Sequence, residues 1–173
     1  VRENLDHVCY VFNKVTRPIA RLELLLFRRS FLWEWYLRRI IREFQPDVVH
    51  VHDLPLAGSV YSICKDTAIK LVCDLHENFP AMLQTEKDSI FDRPIKFKKI
   101  ITAAVTNIAA WKIYERSILH KYDAILTVID EAKERLKAIG LPEQKIHVVA
   151  NYSNPEQNLY DQKAPEIKLL YSG

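Results

Sequence analysis

The sequence predicts an α/β protein with a Rossmann-like, mostly parallel sheet and helices on both faces. Short apolar, β-branched runs alternate with longer segments of helical periodicity, and four such runs recur at intervals of roughly 25 to 50 residues. Two of the runs end in a histidine followed by a carboxylate, His52-Asp53 and His76-Glu77. Buried strands that end abruptly in ionisable groups are typical of parallel sheets, whose ligands bind at the carboxyl ends of the strands.

The composition is that of a globular protein with a buried core. Hydrophobic residues make up 49% of the 173 residues and charged residues 27%. The formal net charge of +3 is too small to indicate nucleic-acid binding. The longest uncharged apolar stretch, residues 100–111, is shorter than the roughly 18 residues of a spanning helix, and residues 1–16 lack the apolar segment of a signal peptide.

The cysteine and glycine contents narrow the function classes further. Cys9, Cys64 and Cys73 lie in apolar runs without a C-x-x-C pair, which predicts reduced core thiols and a cytoplasmic location. Only three glycines occur, so neither a G-x-G-x-x-G loop nor a P-loop can be built. We expect that both ends of the chain are cut and that a first strand with its glycine-rich loop is missing.

The first helical segment runs from Arg17 to Phe44, with Pro18 in its first turn. At about 100° per residue, seven apolar side chains fall on one face, which we predict to be buried. They are Ile19, Leu22, Leu26, Trp33, Leu37, Ile40 and Phe44. A break near Arg28-Arg29-Ser30 would scramble this face.

The opposite face of this segment mixes arginines with apolar side chains and has two interpretations. Leu24, Phe31 and Trp35 either pack on a neighbouring element or belong to an interfacial surface. In the second case guanidinium groups meet lipid phosphates while the aromatic rings enter the headgroup boundary. The residues assigned to this membrane face are Arg21, Arg28, Trp35 and Arg39.

Strand and helix signals then alternate along the rest of the chain. We predict strands at 47–52, 69–75, 123–129, 146–150 and 166–170, with helices from 53 to about 66, from 94 to 120 and from 130 to 140. Asp53 and Asp130 are the predicted N-caps of the first and last of these helices, and Gly140 ends the last one.

Two segments are predicted to lack regular structure. Residues 77–93 read as a polar loop in which Met82 and Phe91 serve as anchors. Residues 152–165 are polar, contain two prolines and are predicted to be a linker.

Four strands deliver polar groups to one rim of the predicted sheet, because parallel strands all point the same way. The groups are His52-Asp53, His76-Glu77, Asp130 and Asn151. His76-Glu77 is the best candidate for chemistry, since no helix is predicted to start beside it. Asp53 and Asp130 are better explained as caps and His50 as a hydrogen-bonded core residue, while His52 stays open between the two roles.

A metal site is the weaker hypothesis at this rim. His50-x-His52-Asp53 has the ligand types of hydrolase zinc motifs. However, Leu54-Pro55 breaks the H-x-H-x-D-H pattern, and the G-x-S-x-G elbow of serine hydrolases is absent. We therefore predict no bound metal.

Four segments, taken in order and spacing, resemble a known family. They are PDVVHVHDLP (46–55), KLVCDLHENFP (70–80), YDAILTVIDEAKERLKAIGLPEQKIHVVANYSN (122–154) and KLLYSG (168–173). The first three resemble the N-terminal domain of family four glycosyltransferases with the GT-B fold, and the last resembles the first strand of their C-terminal domain. The resemblance divides the chain into an acceptor-binding domain at 1–151, the linker at 152–165 and, at 166–173, the start of a nucleotide-sugar-binding domain.

The resemblance implies transfer of a sugar from a nucleotide-diphosphate sugar to a glycan or lipid-linked acceptor, usually with retention and without a metal. This chemistry suits cell-envelope polysaccharide synthesis at the inner face of a membrane. The implied roles are catalysis for His76, acceptor binding for His52, Asp53, Glu77 and Asn78, and an interdomain position for Asp130 and Asn151.

The sequence also departs from the family pattern. The glycine-rich loop and the C-terminal E-x7-E motif are both absent, which predicts a chain that binds no cofactor and is inactive alone. Two functions from other classes stay open: a Rossmann-like binding or interaction module without catalysis, and a metal-dependent hydrolase.

Overall fold

The computed structural model describes residues 16–88 and 107–150, together with the backbone of 169–172. These residues form six α-helices, a short 3₁₀ helix at Glu143–Lys145 and five strands. The helices are α1 (Thr16–Phe27), α2 (Phe31–Phe44), α3 (Leu54–Cys64), α4 (Phe79–Asp88), α5 (Ile108–Leu119) and α6 (Asp130–Ala138). The strands are β1 (Val48–His52), β2 (Lys70–Leu75), β3 (Ala124–Thr127), β4 (Ile146–Val148) and β5 (Leu169–Ser172).

The five strands form one sheet in the order β4-β3-β2-β1-β5, and every neighbouring pair is parallel. The predicted α/β class with a Rossmann-like parallel sheet is confirmed. β1 to β4 follow the order of the chain across the sheet, with helices in each connection. β5 pairs with β1 at the edge of this same sheet. The predicted division of the chain into two domains and a linker stays a prediction, since 151–168 lie outside the described residues.

The alternation of side chains along the strands decides where the core lies. Val49, Val51, Cys73 and Ile125 are fully buried and belong to one apolar cluster with side chains of α3 and α5. The residues between them on each strand are only partly buried by the described part of the chain. One face of the sheet therefore supplies the packed core, and the other is left to carry polar groups.

The first helical segment is interrupted between α1 and α2. Arg28 adopts a left-handed backbone with φ 55°, and Ser30 caps α2 by accepting a hydrogen bond from the Trp33 N–H at 3.3 Å. The buried Ser30 N–H donates in turn to the Ser59 hydroxyl at 2.8 Å, which ties the junction to α3. The break expected as an alternative near Arg28-Arg29-Ser30 is confirmed.

This break makes the predicted apolar face wrong for most of its members. Leu37 and Ile40 of α2 are buried, but Ile19, Leu22 and Leu26 of α1 are between 41% and 49% exposed. The reason is geometric, since the turn at 28–30 re-aims α1 and the single stripe computed for a continuous helix no longer exists. α1 instead buries Ala20 and Leu25.

Gly58 allows α3 to approach its neighbours closely. Its N–H donates to the Tyr114 hydroxyl of α5 at 2.6 Å. A Cβ at this position would lie 2.6 Å from that oxygen and 2.8 Å from the Arg28 carbonyl oxygen, closer than real contacts allow. Any side chain at residue 58 would therefore push α5 and the α1–α2 junction away from α3.

Two buried carboxylates accept paired hydrogen bonds from arginines, one at the α1–α2 junction and one between two helices. Glu34 accepts from Arg29 Nε and Nη2 at 2.8 and 2.9 Å. Glu115 of α5 accepts from Arg135 Nη1 and Nη2 of α6, both at 2.9 Å. Because both oxygens of each carboxylate are occupied, the charges are compensated where burial would otherwise be unfavourable.

None of the helices within 16–88 and 107–150 has the length and apolar character that crossing a membrane requires.

Candidate functional site

The carboxyl ends of β1 and β2 lie side by side and bring four ionisable side chains together. The parallel register places His52 opposite Asp74. Because side chains alternate, His50 and His52 share one face of β1, and Asp74 shares that face on β2. His76 follows directly after β2. We call His50, His52, Asp74 and His76 the histidine–aspartate cluster.

Asp74 is the centre of this cluster. Its Oδ2 lies 3.1 Å from His76 Nε2 and 3.3 Å from His50 Nε2, while the rings of His52 and His76 are in tilted contact with centroids 4.1 Å apart. The Asp74 side chain is 17% exposed and that of His76 is 33% exposed. A carboxylate shielded by imidazoles, which are themselves open to solvent on one side, can orient the histidine rings toward a ligand.

Asp74 is a member of the cluster that the sequence interpretation missed. It lies inside the apolar run of β2, where it was taken as part of the strand interior. The signal that could have found it is its spacing, because Asp74 and His76 are two residues apart and so point to the same side of the chain. The register with His52 could not be known before the sheet order was.

Asp53 occupies the N-cap position of α3 without the capping bond that was predicted for it. Its side chain makes no cap hydrogen bond, and its backbone has φ 66° and ψ 159°, a region in which residues other than glycine are strained. Instead, Asp53 Oδ1 accepts from the His76 N–H at 3.3 Å, and the Asp53 N–H donates to the Asp74 carbonyl at 2.8 Å. Asp53 thus links the end of β1 to the loop that carries His76.

Residues 77–93 were predicted to form a loop, and this is wrong for the part that the structure describes. α4 begins at Phe79, and Asn78 Oδ1 accepts from the Ala81 N–H at 3.3 Å, which is a capping bond. Pro80, which suggested a loop, is tolerated because the first turn of a helix needs no N–H from it. Glu77 is exposed between His76 and this cap, and Phe91 lies outside the described residues.

The residues proposed for the interdomain side are less well connected to the cluster. Asp130 is the first residue of α6 rather than its N-cap, a position held by Ile129, and no capping bond forms. As an exposed carboxylate in the first turn it still interacts favourably with the helix dipole. It follows β3, whose neighbour is β2. Asn151 lies outside the described residues.

The arginine-rich surface divides into exposed and sheltered members. Arg21, Trp35 and Arg39 are exposed, with Trp35 63% accessible and Arg39 paired to Glu43 at 2.8 Å. Arg28 is half-buried at the α1–α2 junction and does not share their exposure. Phe31 is also exposed, whereas Leu24 packs against the core.

The buried thiols take no part in this chemistry. Cys73 lies between Val72 and Asp74 but points into the core, and burial raises the pKa of its thiol far above the ordinary value, with smaller contributions from Asp53 and Asp74. Burial likewise raises the pKa of Cys64 to about 11. Both cysteines are free, which confirms the prediction of reduced core thiols for these two; Cys9 lies outside the described residues.

The donor set of the cluster also fits a divalent metal ion. One ligand atom each from His52, Asp74 and His76 lies within 4.8 Å of the others. Two imidazoles and a carboxylate suit zinc or iron. The carboxylate in this set is Asp74, not the Asp53 of the sequence motif.

A family comparison decides what kind of protein presents this cluster. The model of Glycosyltransferase Family 4 matches residues 3–157. The chain belongs to glycosyltransferase family 4. The resemblance seen in the sequence is thereby confirmed, and the family 4 chain has a glycosyltransferase domain of the N-terminal type. No curated protein and no solved structure matches it.

In the family 4 chain, the histidine–aspartate cluster sits where the fold places ligands. Parallel α/β sheets bind them outside the carboxyl ends of their strands. The cluster lies at that edge, with exposed Glu77 and the Asn78 cap beside it.

Proposed function

We propose that the family 4 chain is the acceptor-binding part of a retaining glycosyltransferase. It uses a nucleotide-diphosphate sugar as donor and a glycan or lipid-linked molecule as acceptor, in cell-envelope polysaccharide synthesis. The observation that supports this proposal is the histidine–aspartate cluster at the carboxyl edge of the sheet, in a chain matched by the family 4 model over residues 3–157. His76 is the catalytic residue of the proposal.

His76 is held so that one side of its ring stays available. Asp74 contacts its Nε2 at 3.1 Å, and Asp53 accepts its backbone N–H at 3.3 Å. Asp74 thereby orients the ring and Asp53 holds the backbone, while the ring is not buried. With its Nε2–H on the Asp74 carboxylate, the other ring nitrogen can accept a hydrogen bond from a sugar hydroxyl, and a protonated ring can stabilise negative charge that develops during transfer.

His52, Asp53, Glu77 and Asn78 form the acceptor side in this proposal. His52 contacts His76 and broadens the rim, and Glu77 adds an exposed carboxylate that can accept hydrogen bonds from sugar hydroxyls. Asn78 acts indirectly, since its side-chain oxygen caps α4 and fixes the start of the helix after His76. Asp130 and Asn151 would face a donor domain.

The donor site belongs elsewhere in this proposal. The chain has three glycines and no E-x7-E motif, so it cannot build a glycine-rich phosphate loop or the family's donor signature. We infer that the chain alone binds no cofactor and transfers no sugar, and that a second domain supplies the nucleotide-sugar. Closure of two domains around the acceptor would then exclude the water that hydrolyses the donor.

The test is a substitution in an enzyme that joins this chain to its donor domain. His76→Ala is expected to lower kcat by about 100-fold or more, since a positioned proton donor or acceptor contributes roughly that much. The matched control is His147→Ala, an exposed histidine on β4. A His76→Ala enzyme with the kcat of the wild type would remove His76 from the mechanism.

The membrane-facing part of the proposal concerns Arg21, Trp35 and Arg39, which are exposed along α1 and α2. A lipid-linked acceptor would bring the enzyme to the inner face of a membrane, where arginines meet anionic headgroups and Trp35 the interface. Flotation with anionic vesicles should show binding that falls with salt and with Arg21→Glu and Arg39→Glu. Binding unchanged by these substitutions would exclude this surface.

A metal-dependent hydrolase is the second candidate, favoured by the three ligand atoms of His52, Asp74 and His76 within 4.8 Å. Elemental analysis of purified protein tests it directly. Stoichiometric zinc or iron that is lost in Asp74→Asn would favour the hydrolase, whereas metal-free protein would exclude it. The third alternative, a binding module without catalysis, would be favoured by a coding sequence that has no donor domain.

A further inference from the structure

A groove of about 720 Å³ lies on the helix layer, between the α1–α2 junction, α3 and α5. Four cationic side chains line it, and no carboxylate is among the lining residues: Arg28, Arg29, Arg38 and Lys65 provide the charge. Its volume falls within the roughly 300–1,000 Å³ of small-molecule sites. We call it the arginine groove. No member of the histidine–aspartate cluster lines it.

The groove keeps an excess of positive charge after its internal ion pairs are formed. The charge of Arg29 is neutralised by Glu34, whose two carboxylate oxygens both accept hydrogen bonds from it. Arg29 also donates to the Ser62 hydroxyl at 2.7 Å. Arg38 reaches the same carboxylate only at 3.8 Å. Glu34 is therefore shared by Arg29 and Arg38, and Lys65 lies 3.9 Å from Asp66, so a further anion would be stabilised near Arg28 and Arg38.

Arg28 carries the most specific signal for that anion. Its backbone is held at φ 55°, and its Nε is buried without a hydrogen-bond partner in the described part of the chain. A buried donor on a charged group that lacks an acceptor is unfavourable, and an oxygen of a bound ligand would satisfy it. A phosphate oxygen would satisfy this donor and the charge together.

Two apolar side chains on the remaining wall of the groove are open to solvent. Phe27 is 57% and Ile113 is 71% exposed, and both line the groove. Phe27 also contacts the Phe31 ring, with centroids 5.9 Å apart, but both side chains keep a large exposed area. An apolar chain attached to the anion would cover them.

We propose that the arginine groove binds a phosphate monoester attached to an apolar chain. The phosphate lies against Arg28 and Arg38, and the chain runs along Phe27 and Ile113. The proposal rests on the groove alone and not on the proposed function.

The experiment measures binding of dihexanoyl phosphatidic acid, below its micelle concentration, to the purified chain by calorimetry. Dihexanoyl phosphatidylcholine and inorganic phosphate serve as probes of the headgroup charge and of the apolar chain. Phosphatidic acid should bind at least about tenfold more tightly than either, a difference of ~1.4 kcal/mol. Arg28→Gln and Arg38→Gln should each weaken it by a similar factor, and Arg17→Gln, an exposed arginine outside the groove, should not.

Three results would overturn the proposal. If wild type and Arg38→Gln bind phosphatidic acid with equal affinity, the phosphate does not bind in the groove. Equal affinity of the wild type for phosphatidic acid and phosphatidylcholine would lead to the same conclusion. If inorganic phosphate binds as tightly as phosphatidic acid, the apolar chain contributes nothing to binding. If Arg28→Gln fails to fold, exposed Lys65→Gln provides the test, with a loss of affinity expected. Since no sugar transfer is measured, failure here leaves the proposed function unaffected.

Discussion

The two ends of the parallel sheet carry polar side chains of similar type but with different partners. At the amino end, Asp123 accepts from the Leu71 N–H at 2.9 Å and from Lys70 Nζ at 3.2 Å. Lys145 Nζ donates there to the carbonyl oxygens of His120 and Tyr122 at 3.0 and 2.7 Å. These groups join strand starts to the loops beneath them, so their hydrogen-bonding capacity is used by the fold.

At the carboxyl end the polar groups mainly contact each other. Asp74 lies between His50 and His76, and Asp53 holds the backbone of His76 while its own φ is strained at 66°. Strain that is kept at a strand end, next to half-exposed imidazoles, indicates a site shaped for a ligand rather than for stability. The comparison predicts that substitutions at the carboxyl end change activity, and that those at the amino end change stability.

The largest effect is expected for Asp74→Asn in an enzyme that includes the donor domain. The amide weakens the contact that orients His76 Nε2, so kcat should fall by about 100-fold. The unfolding free energy should change by less than about 1 kcal/mol, because the side chain remains of the same size. Steady-state kinetics measures the change in kcat, and urea denaturation measures the change in unfolding free energy. A large loss of stability with unchanged kcat would reverse the comparison.

At the amino end, Lys145→Met should lower stability by about 2 kcal/mol. It removes two hydrogen bonds from a charged donor to the carbonyls of His120 and Tyr122. Activity per folded molecule should not change. Lys121→Met, an exposed lysine in the same region, is the matched control. Equal denaturation midpoints for the two variants would show that these bonds contribute little.

Asp53 offers a third test because its backbone is strained. Asp53→Gly should be more stable than Asp53→Ala by about 1 kcal/mol, since glycine adopts positive φ freely. Both variants lose the contact with the His76 N–H, so both should lose activity alike. Thermal melts of Asp53→Gly and Asp53→Ala measure the difference in stability. An alanine variant as stable as the glycine variant would show that the backbone relaxes at this residue.

The smallest effect concerns pH. Partial burial raises the pKa of Asp123, but the bonds from the Leu71 N–H and Lys70 outweigh it and leave the pKa below its usual value. A carboxylate whose pKa is lower in the folded state stabilises the fold at pH values above its unfolded-state pKa, near 3.9. This stabilisation is lost as the pH falls through the folded-state pKa. Asp123→Asn should therefore be less stable than the wild type at pH 7, by under about 1 kcal/mol for so exposed a pair.

The difference between Asp123→Asn and the wild type should shrink as the pH falls below about 4, when the wild-type carboxylate is protonated. Urea denaturation at a series of pH values measures it. A difference that is constant down to pH 2 would show that the carboxylate charge at residue 123 does not matter for folding.

The sequence predicted the strands well because their signal is local. β-branched runs such as those around Val49 and Ile125 are bounded by polar residues, and the structure places strands at each of the five predicted segments. Helix boundaries failed where a tertiary contact intervened. The break at Ser30 was expected only as an alternative, and its N–H bonds to Ser59, 29 residues away, a contact that no periodicity within 17–44 contains.

α4 was missed for a different reason. Residues 77–88 are polar, and Pro80 suggested a loop, yet Asn78 caps the helix and Leu83 is buried on its inner side. Pro80 and Leu83 are its two buried residues, which is too short an apolar stripe for a periodicity argument to detect. The packing of Phe79 against Trp111, with ring centroids 4.8 Å apart, supports the helix from another element.

The sequence by itself determined the α/β class, the family and the polar groups that follow the first three strands, since each follows from short runs of neighbouring residues. Only the tertiary structure decided that Asp74 is the centre of the cluster, because register pairs β2 with β1 and brings residues 74 and 52 side by side. It also decided that the Asp53 side chain accepts a hydrogen bond from the His76 N–H rather than capping α3, and that Arg28 lines the arginine groove. These are contacts between segments that are distant in the sequence, and they stabilise the protein only once the tertiary structure has formed.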